Sequence, residues 1–447
     1  MAPGTGKTIT AARLVDLPCL IICRPDDLMT WEMELEEEGF DPKNPYHIWI
    51  IDSGKIEYPP TTTKEPFPDW VLITYDLAKN SYYHKAIKST PFQAVIADEV
   101  DYLRHWKSDR TKKVIRCTRH IPQRLGLTGS PIGNDVMDAW APALFIDNGK
   151  TFGDDWWKFK RRHYVKHPSQ PMWFPKRGAK EQIRQRLHQL AFIVHEDDVL
   201  DLPPKRSIVK SCKPNKAQIG HITSLVEAWE YAVEDQPPEE INHVVARLAK
   251  LRQVAAGFIY DHAGVAHWFS DTKVNLCLRL VEKSLDRCGG KVVVWCAHRA
   301  ELTRLHERLR EAKIGAVVFS GTNRGHRERI RKDFRDNPNV HVFLGQADAG
   351  RGMNELTVAN RAIYFSNSFK VVSRHQSERR IRRRGSEYHK RILYYDLVTE
   401  GTVDVPNLQA LRRNTSIATY ILTQLRENPT NTIRKLVGFQ SIKPVIE

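Results

Sequence analysis

No apolar run in this 447-residue chain approaches the roughly 18 residues that a membrane-spanning helix needs. The longest runs, 20–23 and 292–297, have the length of buried strands. Acidic residues are also in short supply, with 53 Asp and Glu against 69 Lys and Arg, a net charge of +16. That balance excludes an acidic solvating protein and favours a polyanionic partner, nucleic acid before a membrane surface. Cysteines are few, odd in number and scattered, at 19, 23, 117, 212, 277, 288 and 296. Cys19 and Cys23 do not form a CxxC, and no Cys/His cluster beside them completes a zinc site, so free thiols in a reducing cytosol are expected. The chain does not open on the basic, apolar and small-residue order of a secretory leader. A non-secreted protein in the cytoplasm of a prokaryote or a virus-infected cell is expected.

What is present is the composition of a packed chain, 41% hydrophobic and 27% charged, long enough for two or three domains. Short β-branched runs alternate with helical patterns, which predicts α/β units built on parallel sheets. Strands are expected at 19–23, 48–51, 70–74, 92–97 and 125–128, and again at 291–297, 316–319, 340–345, 362–365 and 392–397. Between them, amphipathic helices are expected at 181–191, 216–233 and 241–255, broken by the proline pairs at 203–204 and 237–238. The domains read as 1–150, a helical middle over 151–270, a second α/β half over 271–425, and a tail over 426–447.

Ala2-Pro3-Gly4-Thr5-Gly6-Lys7-Thr8 reads as a phosphate-binding loop running into a helix over 9–15. Gly4, Thr5 and Gly6 let backbone N–H groups cradle phosphate oxygens at a helix N-terminus. Lys7 reaches the β- and γ-phosphates of ATP, and Thr8 offers a hydroxyl to Mg²⁺. A buried strand ordinarily precedes such a loop; a late or truncated start and a lost strand both stay open, the latter implying weaker ATP binding. Downstream, an apolar strand ends in Asp98-Glu99-Val100-Asp101. Asp98 is placed to hold Mg²⁺ and Glu99 to orient or deprotonate a water. The next strand ends in Leu125-Gly126-Leu127-Thr128-Gly129-Ser130-Pro131, where the hydroxyls of Thr128 and Ser130 can sense a γ-phosphate.

In that order, GTGKT, DEVD and LTGSP resemble the first motor domain of a superfamily-two nucleic-acid helicase, and further segments resemble the Swi/Snf-type ATPases. Ile21-Ile22-Cys23-Arg24-Pro25 with Trp31 and Glu34, Thr74-Tyr75, and Asp201-Leu202-Pro203-Pro204-Lys205 match segments of that family. In the second half, Ser320-Gly321-Thr322, Asp348-Ala349-Gly350-Arg351-Gly352-Met353-Asn354, Gln376 with Arg380 and Arg383, and Thr402-Val403-Asp404 do the same. Ala297-His298, closing the strand at 291–297, is similar to the annealing-helicase branch.

The resemblance implies two RecA-like parallel-sheet motor domains with a helical insertion, and an ATP- and Mg²⁺-dependent DNA translocase or helicase. It implies Gln376, Arg380, Arg383 and Gly352 at the nucleotide, and Arg24, Thr74, Tyr75, Ser320 and Asn354 in coupling or DNA contact. Three residues apart, Arg380 and Arg383 share a face if they lie on a helix. The implied partner is duplex or forked DNA, bound with little sequence preference; an RNA helicase and a weakened, DNA-binding motor are the alternatives. Departures from the family pattern are Asp101 and Arg382 where histidines are usual, Arg351 for a glycine, and Val194-His195-Glu196 for an Arg-Arg pair. The stretch Trp156-Trp157-Lys158-Phe159-Lys160-Arg161-Arg162 either stacks bases and tracks a backbone or is an amphipathic helix with Trp156 and Phe159 inward.

Overall fold

The computed structural model describes residues 6–53, 67–129, 136–166, 173–194, 200–234, 241–288, 290–320, 327–347, 355–413, 417, 420, 421, 424 and 433–438. Two compact units divide the chain, Met1–Leu200 and Asp201–Glu447, so the expected helical middle falls partly in each. Among the described residues no helix is long and apolar enough to cross a membrane.

In the first unit, β1 (Cys19–Cys23), β2 (Ile48–Ile51), β3 (Trp70–Thr74), β4 (Ala94–Asp98) and β5 (Gln123–Leu127) form one sheet in the order β2-β3-β1-β4-β5. Every neighbouring pair is parallel. Strands β1 and β2 are apolar at every position, which suits a sheet covered on both faces, and the cores sort by the strand's two-residue period. Leu20, Ile22, Val71, Ile73, Val95 and Ala97 pack on one face, and Cys19, Ile21, Cys23, Trp70, Leu72, Ala94 and Ile96 on the other. The register aligns the carboxyl ends: Cys23 stands level with Thr74, Ile22 with Ala97, and Asp98 with Leu127. Arg24, Tyr75, Glu99 and Thr128 therefore leave the sheet along one edge, where ligand sites of open α/β sheets form. Beyond this sheet, helices Trp156–His163 and Ala179–Leu190 and the antiparallel pair β6 (Tyr164–Lys166) and β7 (Trp173–Pro175) surround a smaller aromatic core.

The second unit has a six-stranded sheet of β8 (Lys205–Cys212), β11 (Lys291–Cys296), β12 (Ala316–Phe319), β13 (Val342–Gln346), β14 (Ala359–Tyr364) and β15 (Ile392–Thr399). Its order is β12-β13-β11-β14-β15-β8, again all parallel. A short hairpin of β9 (Phe258–Tyr260) and β10 (Ala266–Trp268) joins the helices to this sheet. Strand β8 is absent from the sequence expectation for a physical reason. Its residues, KRSIVKSC, are mostly exposed, and backbone pairing with β15 along its whole length holds it in place.

Candidate nucleotide site

Gly6 closes the phosphate-loop segment in a left-handed conformation, φ 75°, which glycine adopts without steric cost. Helix Lys7–Leu14 starts directly after it, with Thr10 N–H donating to the Gly6 carbonyl at 2.9 Å. Lys7 and Thr8 thus occupy the first turn, where backbone N–H groups lack intrahelical partners. Gly4 and Thr5 lie outside the described residues.

Asp98 ends β4 and Glu99 leaves it in the left-handed region, φ 51° and ψ 56°, a conformation that side chains longer than glycine's rarely take. Three contacts fix this turn. The Trp31 indole Nε1 donates to Asp98 Oδ2 at 3.0 Å. The Glu99 backbone N–H donates to Asp98 Oδ1 at 2.9 Å. The Tyr75 hydroxyl donates to the Asp98 backbone carbonyl at 2.9 Å. Desolvation, together with the charges of Asp27 and Glu99, pushes the Asp98 carboxyl up to about 6, while Lys7 and the Trp31 bond oppose the rise. A carboxylate desolvated among carboxylates favours a cation as its neighbour.

Arg24, expected from the resemblance in coupling or DNA contact, is 8% exposed and held by Asp27 through two bonds of 2.8 and 3.1 Å. Burial works against its charge, but Asp27, Glu99 and Asp98 outweigh it and raise its pKa. Its guanidinium is therefore committed to the acidic cluster, where it balances carboxylate charge. Thr74 and Tyr75 are buried as well. The Thr74 side chain accepts from Leu77 N–H and caps helix Tyr75–Ala78. The Tyr75 ring lies 5.4 Å from that of Tyr102, which Arg110 covers at 4.6 Å. Thr128 follows Leu127, the β5 partner of Asp98; Ser130 lies outside the described residues.

In the second unit, Gln376 lies on helix Val371–Glu378, and its Oε1 is buried without a hydrogen-bond partner among the described residues. The helix stops at Glu378, so Arg380 and Arg383 do not share a helical face. They sit instead in successive turns, in which Ser386 Oγ donates to the Arg383 carbonyl at 2.7 Å and accepts from its N–H at 3.2 Å. Gly385, at φ 94°, completes the break. The Arg380 guanidinium is buried 5.2 Å from the Trp295 ring. Ser320 is buried just past β12; Gly352 and Asn354 lie outside the described residues.

The model of the SNF2-related domain matches residues 3–253, more than half of the chain. The chain belongs to the SNF2-related family. Protein p41 of Acyrthosiphon pisum secondary endosymbiont phage 1 is 24% identical over 345 residues, 73% of this chain and 71% of its own length. The ATP-dependent helicase MG018 of Mycoplasma genitalium is 22% identical over 87% of this chain, which spans only 36% of that relative. The Sulfolobus solfataricus SWI2/SNF2 ATPase core, solved in complex with dsDNA, is similar at 20% identity and a TM-score of 0.42, with 98% of this chain and 92% of that one covered. This SNF2-related chain is a nucleic-acid-dependent ATPase of the Swi/Snf type, within helicase superfamily two. Its two parallel sheets are the RecA-like pair of that family.

Within this SNF2-related site, sequence reasoning missed two participants. Trp31 reads in the sequence as a signature residue, with nothing to show that its indole would hold the Asp98 carboxylate. Asp27 carries a signal, since it lies three residues after Arg24, the spacing of their ion pair.

Proposed function

We propose that this chain is an ATP-driven DNA translocase that moves along duplex or forked DNA with little regard to sequence, remodelling, rewinding or unwinding it. The observation that carries the reading is the turn at Asp98 and Glu99, a strained, triply anchored carboxylate pair that feels the charge of Lys7. Lys7 and the free N–H groups of the first helical turn bind the phosphates of ATP. Asp98 and Thr8 supply the hard oxygen donors that Mg²⁺ prefers, and the raised pKa of Asp98 fits a carboxyl that is ionised by a neighbouring cation. Bound there, Mg²⁺ neutralises charge on the phosphates. Glu99 orients the attacking water and accepts its proton. Arg380 and Arg383, contributed by the second unit, stabilise charge on the transferring phosphoryl group, so that hydrolysis is tied to the approach of the two units. Repeated approach and release then step the protein along its track. The excess of 16 positive charges suits contact with the phosphate backbone, which is independent of sequence and sensitive to salt.

The test is steady-state ATP hydrolysis without nucleic acid and with duplex, single-stranded and forked DNA and RNA. Stimulation by DNA that is lost in Lys7→Ala supports the reading. RNA as the best activator would make the chain an RNA helicase. No turnover on any polymer, from a protein that binds DNA, would overturn the motor and leave a binding platform.

A further inference from the structure

Helix Trp156–His163 carries two characters on opposite faces. Trp156, Phe159 and His163 point inward at 9%, 2% and 4% exposure, in a core with Trp140, Phe152 and Ile183. The neighbouring Trp157 is 45% exposed, and Lys158, Arg161 and Arg162 are exposed beside it. Arg161 lies four residues after Trp157, one turn along the same face. The amphipathic alternative is thus fulfilled by the inward residues, while an indole and three cations are left over on the outside.

That indole is propped in place. Trp106 meets the Trp157 ring edge-on, with centroids 6.1 Å apart and planes at 81°, and itself stacks on Trp156 at 5.3 Å. Lys160 Nζ lies 5.4 Å from the Trp157 ring centre, and Lys107 Nζ 5.7 Å from that of Trp106. Trp106 and Trp157 line an open groove of about 630 Å³ that also receives Lys112, Arg116 and Arg119. Two carboxylates also line the groove, and Asp154 pairs with Arg119 at 3.5 Å. Asp155, which feels Lys158 and Arg161, is committed as the helix cap, accepting from the N–H groups of Trp157 and Lys158 at 2.7 and 3.0 Å. Among the described residues, no ion pair engages Lys158, Arg161 or Arg162.

We infer that this face is a single-stranded DNA contact, at which an unpaired base stacks on Trp157 while the flanking phosphates meet Lys158, Arg161 and Arg162. The chemistry selects this occupant. Every base offers a π-face to an indole, and the cations follow a backbone without reading sequence. A duplex keeps its bases stacked inside and can use only the cations. The inference rests on the reading that the partner is DNA, and places on the first unit a contact for strands exposed at a fork.

The experiment is fluorescence anisotropy of labelled oligo(dT) and of a blunt duplex of equal length, without nucleotide, on the full chain. Trp157→Leu fills the same place without a π-face, and an unchanged Tm shows that the variant is folded. Its affinity for oligo(dT) is expected to fall by roughly five- to a hundredfold, the range that stacking of a base supplies. Affinity for the duplex should change less than twofold, and Trp157→Phe should recover most of the loss. Where the wild type binds DNA, unchanged binding of oligo(dT) by Trp157→Leu, or an equal loss on both polymers, would overturn this contact alone. A wild type that binds neither polymer would overturn the proposed function with it.

Discussion

At the scale of single residues, the acidic turn depends on two donors that carry no charge. The Tyr75 hydroxyl and the Trp31 indole hold the backbone and the side chain of Asp98, and so hold the left-handed Glu99 that follows. Tyr75→Phe removes one oxygen from a ring that is 1% exposed and leaves the Asp98 carbonyl a partner short. A loss of about 1–3 kcal/mol is expected in denaturant unfolding, with kcat reduced and the KM for ATP little changed, because Lys7 is untouched. A KM increase at constant kcat would place Tyr75 in binding instead. Asp98 adds a pH dependence. Its folded value, about 6, lies above its ordinary one. The stability it gives the ligand-free protein is therefore present below the ordinary carboxylate range and is lost as pH rises through about 6. A cation takes the ionised form, so affinity for Mg²⁺-nucleotide should weaken as pH falls below about 6. Equilibrium binding from pH 5 to 8 in wild type and Asp98→Asn checks this, since the variant should lose that part of the dependence.

At the scale of elements, the basic run 374–391 shows how one sequence pattern divides into different physical roles. As a string it resembles a solvated charged face together with two nucleotide-facing arginines. In the fold, Arg374 is buried and bonds Asn367 and Glu378 at 2.7 Å each, pairs with Asp396 of β15, and covers the Tyr364 ring at 3.5 Å. Burial opposes its charge, but its partners raise its pKa. The sequence could not show this, because Asp396 lies within an otherwise apolar strand and meets Arg374 only through the fold. Arg374→Met leaves Asp396 buried without its cation, and a loss of about 3–5 kcal/mol is expected in urea or thermal unfolding. Arg374→Lys should recover little, because a single ammonium cannot reproduce the forked bonding. Apart from β8, the strands of both sheets were legible, for most of them are short, apolar runs. Strand β8 was not, since an edge strand with polar side chains is specified by its neighbour's backbone.

At the scale of the whole molecule, the groups assigned to hydrolysis are divided between the two units, Lys7, Asp98 and Glu99 in one and Gln376, Arg380 and Arg383 in the other. They could be proposed from the sequence because phosphate and Mg²⁺ chemistry admits few residue types, and such residues stand at strand and helix ends along the chain. Their surroundings were not shown by it, since the helix ends at Glu378 and Arg383 is held in a turn by Ser386, which lies beyond the motif. That difference in surroundings separates the two arginines. Arg380 is buried against Trp295, so Arg380→Ala should lose stability as well as hydrolysis, lowering the Tm. Arg383 is half-buried and its backbone is fixed by Ser386 whatever its side chain. Arg383→Ala should therefore keep its Tm and its affinity for a fluorescent ATP analogue while hydrolysis falls by roughly 10³-fold, the lower range for an arginine that stabilises phosphoryl transfer. Full turnover in Arg383→Ala, beside a normal Tm, would remove it from the reaction and leave Arg380 to supply that charge alone.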